Sequence, residues 1–163
     1  MWEKAKDFLT RAFTVIFMAT VIIWFMQTFD TRLNVVENSA SSILAALGRL
    51  VSPIFAPLGF GDWRMVTALV SGFTAKEAVV STFGVILGVS TEQLGIALHS
   101  LFTTASAASF LAFCLLYTPC VAAVSTIKTE LKSGWKTVGI VFAQCLVAWL
   151  AAFVVYHVGL LLT

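Results

Sequence analysis

The stretch DWRMVTALVSGFTAKEAVVSTFGVILG, residues 62–88, decides the fold. It is apolar at both ends, yet Lys76 and Glu77 sit in its middle beside Gly72-Phe73-Thr74. A straight membrane span does not ordinarily place two charges at mid-depth, where each costs about 2.5–3.5 kcal/mol even on the gentler insertion scale. A helix interrupted near Gly72–Glu77 resolves the conflict, because unwound backbone and charge are tolerated at depth where protein or a polar cavity covers them. Asp62 stands where a helix N-cap belongs, just after the breaker cluster Ala56-Pro57-Leu58-Gly59-Phe60-Gly61.

Working outward, the rest of the chain has the same character. Of its 163 residues 60% are hydrophobic and 11% charged, with a mean hydropathy of +0.97, which places it among integral membrane proteins. Residues 12–29 carry no formal charge and read as a span preceded by a charged amphipathic start. That start is too charged, and the apolar part too long, for a cleaved signal peptide, so the segment is expected to stay attached. Residues 39–58 read as an interfacial helix, with Ile43, Leu44, Leu47 and Leu50 on one face. Beyond Glu92 and Gln93, the 34 residues from Leu94 to Ile127 are free of formal charge, too long for one ordinary span. Tyr117-Thr118-Pro119-Cys120 interrupts them, since proline lacks an amide hydrogen and biases the preceding residue away from helix. Residues 94–127 are therefore expected to form a helix broken near 118–120, and residues 137–162 a final span. The predicted fold is an all-α, polytopic transmembrane bundle with broken or re-entrant helices, forming a single domain over 1–163. Basic clusters at Lys4, Lys6 and Arg11 and at Lys128, Lys132 and Lys136 both prefer the cytoplasmic side, which favours a re-entrant course for 62–88.

The two breaks are the features that can carry chemistry, since transporters build substrate sites at discontinuous helices. At the first, Glu77 offers a carboxylate and Thr67, Ser71, Thr74 and Ser81 share its side under helical spacing. The alternative is that Lys76 and Glu77 neutralise one another or snorkel at the end of a shorter span. At the second, Cys120 offers a soft thiolate suited to transition metals, set against the usual role of buried cysteine as an inert small hydrophobe. Cys114 and Cys145 lie within unbroken apolar patterns and read as packing. The odd cysteine count argues against a disulfide framework. His99, Thr103, Ser106 and Ser109 share a face leading to Tyr117, a polar path or, with the neighbouring alanines, a packing surface. The net charge of +2, with no basic run, excludes nucleic acid as a partner. No GxxxxGK[ST] phosphate loop, HExxH, GxSxG or CxxC motif occurs, so no catalytic residue is assigned and the chain reads as a non-enzyme.

Three segments together resemble one family: Trp2-Glu3-Lys4-Ala5-Lys6-Asp7-Phe8-Leu9 with Thr14-Val15-Ile16; Pro57-Leu58-Gly59-Phe60-Gly61-Asp62-Trp63-Arg64 followed by Gly72-Phe73-Thr74-Ala75-Lys76-Glu77; and Leu116-Tyr117-Thr118-Pro119-Cys120-Val121-Ala122-Ala123 with Glu130. They are similar, across nearly the whole chain, to the C-terminal membrane region of the ferrous iron transport protein B family (FeoB). The resemblance implies uptake of Fe(II) across a bacterial or archaeal cytoplasmic membrane by a multi-pass permease. It also implies two Gate modules, each with a cysteine in the iron path, and a separate G domain that binds GTP. This chain resembles the second module. Cys120 matches that module's cysteine, and Lys76 and Glu77 match its Gly-x-x-Ala-Lys-Glu pattern, which makes Glu77 a further candidate path residue. Fe(II) is then the transported ion rather than a tightly bound cofactor, and GTP acts only through the G domain. The partners implied are the lipid bilayer and the remaining FeoB segments, in cis or in trans, with an oligomer among the assemblies open to it. Those segments lie outside this sequence, so the chain is expected to be a fragment, a truncated gene or one piece of a split transporter. Alone, it is not expected to be a complete GTP-driven pump. The alternatives are another Gate-type transporter, nucleoside-like, and a non-transporting membrane assembly subunit.

Overall fold

A computed structural model describes residues 2–30, 32, 34–36, 39–74, 76, 78–117 and 120–162, with side chains for all of these except 2–9, 11, 12, 91, 122 and 162. Among the described residues the regular structure is helical: α1 (Trp2–Thr28), α2 (Ile43–Phe55), α3 (Trp63–Gly72), α4 (Ala78–Leu87), α5 (Thr91–Leu101), α6 (Thr104–Leu116), α7 (Val121–Leu131) and α8 (Gly134–Leu162). Short 3-10 turns occupy Ser39–Ser41 and Ala56–Leu58, and a lone antiparallel bridge joins Phe29 to Val35. This is an all-α bundle of membrane character with bent helix pairs.

Local chemistry sets the bends. Ser42 caps α2 by accepting from the Ala45 amide at 3.1 Å, and α2 gives way at Ala56-Pro57 to the 3-10 turn. Gly59 follows with φ +80°, a left-handed conformation that glycine adopts without strain. A Cβ there would also lie 2.0 Å from the Tyr156 ring, so α8 closes over the turn. Asp62 then caps α3, its carboxylate accepting from the Arg64 amide and pairing with the Arg64 guanidinium, each at 2.8 Å. The Ser52 hydroxyl donates to the Gly61 carbonyl across the same turn. The result is a bend of 104° between the α2 and α3 arms.

The core is aromatic where the short helices converge. Phe60 stands edge-on to Phe110 at 5.4 Å, Phe55 edge-on to Phe113 at 5.1 Å, and Phe83 and Phe102 complete the cluster against Phe110. α6 lies along α8 through small residues: Ala105 faces Gly159, and the Ser109 hydroxyl donates to the Ala152 carbonyl at 2.8 Å. Small side chains let two helices approach closely, which is how helices associate where lipid removes the hydrophobic drive.

One expectation is corrected. The stretch 94–127 was expected to be helical with a single interruption near 118–120, yet α5 ends at Leu101 and α6 begins at Thr104. The extra break needs neither glycine nor proline, because Thr103 and Ser106 form a reciprocal capping box in which each hydroxyl satisfies the other's amide at the start of α6. α5 also starts earlier than expected, at Thr91 after the Ser90 cap.

α8 is the one described helix both long and apolar enough to cross a bilayer by itself, and each bent pair, α2 with α3 and α4 with α5, passes only when taken together. The apolar part of α1, Phe13–Thr28, and all of α6 are shorter. Much of the α1 and α8 surface is exposed and apolar, including Phe17, Trp24, Phe142 and Val154. So large an apolar surface fits lipid, not water.

Candidate functional site at the crossing of two helix breaks

α3 ends because Gly72 is followed by turns that close on themselves. The Phe73 and Thr74 amides bond back to the Val70 and Ser71 carbonyls at 3.3 and 3.1 Å, and the Thr74 hydroxyl donates to the Ser71 carbonyl at 2.6 Å. Helix resumes at Ala78, and the buried Ser71 and Thr82 hydroxyls meet at 2.6 Å to tie α3 to α4 across the gap. The stripe expected beside Glu77 is thus divided: Thr67 and Ser81 bond carbonyls of their own helices, while Ser71 and Thr74 hold the break.

At the second break α6 ends at Leu116, Tyr117 turns to extended backbone, and α7 starts at Val121 with Cys120 as its N-cap residue. Three contacts join the two breaks. The Val121 amide donates to the Phe73 carbonyl at 3.1 Å, so the first amide of α7 is satisfied by the carbonyl that follows α3. The Lys76 ammonium donates to the Cys114 and Leu115 carbonyls at 3.0 and 3.4 Å and stands 5.1 Å from the centre of the Tyr117 ring. Gly72 supplies the room, since a Cβ there would lie 2.3 Å from Val79 Cγ2 and 2.9 Å from the Tyr117 hydroxyl. Two interruptions more than forty residues apart therefore form one centre.

Cys120 is half-buried at this crossing, one residue before the amide that bonds Phe73. Glu77, Thr118 and Pro119 lie outside the described residues. The three cysteines form no disulfide. Among the described residues no three His, Cys, Asp or Glu side chains gather to hold a metal ion. The polar atoms brought together at the crossing are the Phe73, Cys114 and Leu115 carbonyl oxygens and the Tyr117 hydroxyl. That hydroxyl is buried and has no hydrogen-bond partner.

A groove of about 720 Å³ opens beside the crossing, lined by residues of α4, α5 and α6 together with Lys76 and Tyr117. Thr104, Ala107, Leu111 and Cys114 lie on one face of α6, so the groove follows that helix for roughly 15–20 Å at about 1.5 Å per residue. His99 and Thr103 line it. Ser106 instead closes the capping box and Ser109 bonds α8, so the polar face read from the sequence separates into groove and packing. Reading residues alone treated Lys76 as a neighbour of Glu77. Lys76 also reaches carbonyls 38 and 39 residues away, and no local pattern announces them.

Comparison with known proteins adds an independent line. The family described as "Gate: Nucleoside recognition" matches residues 9–134. The chain is similar to the Fe(2+) transporter FeoB of Methanocaldococcus jannaschii, 33% identical over 99% of this chain and 25% of that protein. It is similar to the Fe(2+) transporter FeoB of Staphylococcus aureus, 39% identical over 97% of this chain and 24% of the relative. With that of Campylobacter jejuni it is 31% identical over 99% of this chain and 28% of the relative. The chain thus spans about a quarter of the length of these relatives. No solved structure matches it.

Proposed function

This chain belongs to the Gate family and is a Gate-module region of the FeoB ferrous iron transporter family, and on that premise we propose that it forms part of the path by which Fe(II) crosses a bacterial or archaeal cytoplasmic membrane. The observation that carries this reading is the crossing of α3–α4 with α6–α7. Helices interrupted at membrane depth free backbone oxygens, and transporters use such oxygens to take an ion from its water. Here the interruptions meet, beside a half-buried cysteine. In this reading the module is the second of the two, and Cys120 supplies a transient ligand while the carbonyls supply the rest. Glu77, outside the described residues, supplies compensating negative charge. A weak site suits the task, because an ion held tightly does not leave. The chain itself performs no chemistry. GTP hydrolysis belongs to a G domain elsewhere in the full transporter, and the remaining FeoB segments are its partners.

The test is Fe(II) uptake by the full-length polypeptide carrying Cys120→Ser. Loss of one thiolate ligand should lower uptake by about tenfold, the equivalent of ~1.4 kcal/mol, while GTP hydrolysis stays near the native rate. Native uptake in that variant would remove Cys120 from the path. Transport of nucleosides, with Fe(II) ignored, would transfer the chain to another Gate-type carrier.

A further inference from the structure

The last carbonyls of an α-helix have no amide partner within the helix and look for another donor. At the end of α6 two of them, those of Cys114 and Leu115, receive the Lys76 ammonium. Carbonyl oxygens grouped in this way are what a cation path offers in place of water. Beside them the Tyr117 hydroxyl, on a residue only 6% exposed, has no partner and lies against Gly72 in the opposite break. A positive charge thus already occupies two carbonyl oxygens of the crossing, and it is covalently attached to the protein. An incoming divalent cation cannot share them with it, since like charges a few ångströms apart repel one another. The Lys76 side chain is also exposed and lines the groove along α6, which gives its long stem a route away from the carbonyls.

We propose that Lys76 is a tethered plug: its ammonium holds the Cys114 and Leu115 carbonyls in the resting conformation, and the path opens when the side chain withdraws into the groove. The inference rests on the permease reading above and adds a gate to it. The same contacts also serve a helix C-terminus as a structural cap. A cap and a plug differ in one respect: removing a plug raises the resting flow of ions, whereas removing a cap only weakens the fold.

The experiment uses the full-length native polypeptide in vesicles loaded with an Fe(II)-quenched dye, under anaerobic conditions, with and without GTP. Lys76→Met should raise Fe(II) influx without nucleotide by about tenfold, and Lys76→Arg should stay within about twofold of the native protein. In Lys76→Cys, an aminoethyl thiosulfonate that restores the positive charge should close the leak again. A neutral methyl thiosulfonate should not, and the native protein treated alike controls for Cys114, Cys120 and Cys145. Should Lys76→Met prove unfolded, the Lys76→Cys pair decides the matter by itself. Resting influx equal to native in the charge-free variants, or reduced transport with a lower melting temperature and no leak, overturns the plug in favour of the cap. Native protein that moves no Fe(II) even with GTP overturns the permease reading, and the plug falls with it.

Discussion

Along α8, 29 residues run as one helix and most of that surface is apolar and exposed, whereas at the crossing four helices of 10 to 13 residues stop, turn and restart within hydrogen-bonding reach of one another. The difference follows from the solvent. In hydrocarbon a continuous helix satisfies its own backbone, so α8 needs little from its neighbours beyond a seam of small residues against α6. A broken helix frees amides and carbonyls that lipid cannot satisfy. Here each break supplies the other's partners, through Val121 to Phe73 and Lys76 to Cys114 and Leu115. Polar and charged groups therefore gather where helices fail.

Paired substitutions break or sharpen this contrast, and the largest expected effect lies in the aromatic core. Phe60→Ala removes a fully buried ring that contacts Phe55, Phe110 and Phe113, and should cost about 3–5 kcal/mol. Phe142→Ala on the outer face of α8 should stay within ~0.5 kcal/mol, because lipid replaces the lost contacts. Thermal unfolding in detergent compares the two.

Next comes a pair of glycines. Gly72→Ala drives a Cβ into Val79 and the Tyr117 hydroxyl and should cost about 1–3 kcal/mol. Gly139→Ala in α8 meets nothing within 4 Å and should stabilise by roughly 0.5–1 kcal/mol through helix propensity. Equal effects at the two positions would mean that the breaks do not pack as described.

Smaller still, Trp149→Phe removes the indole donor to the Ile54 carbonyl at 3.0 Å, which ties α8 to α2, and should cost about 0.5–1.5 kcal/mol in the same assay. Tyr117→Phe removes a hydroxyl with no partner, so stability should be unchanged or slightly improved. If that oxygen serves a passing cation, Fe(II) uptake by the full-length protein falls while the melting temperature holds.

Much of this architecture is legible in the sequence, for identifiable reasons. Gly72 beside Lys76 and Glu77, and Pro119 after Thr118, mark breaks because each conflicts with a straight apolar span. Asp62 announces the start of α3 by its position after a Pro/Gly cluster, and its side chain does cap that helix. The break at Phe102-Thr103 leaves no mark in the sequence, because a hydroxyl capping box inside an uncharged run changes neither charge nor hydropathy. The meeting of the two breaks was not legible at all. It depends on a lysine whose partners lie far along the chain, and pattern reading has no access to tertiary contact.

The central claim, that the crossing forms a polar path within an otherwise apolar bundle, is tested most directly by the native cysteines. The rates at which Cys120 and Cys145 react with a membrane-impermeant, charged thiol reagent can be read by mass spectrometry in vesicles containing the native protein, with and without Fe(II). Cys120, at the crossing, should react at least about tenfold faster than Cys145 within α8, and Fe(II) should slow it, because a thiol reacts as thiolate only where water and polar groups reach it. Equal rates at the two cysteines, or a Cys120 rate indifferent to Fe(II), would contradict the account.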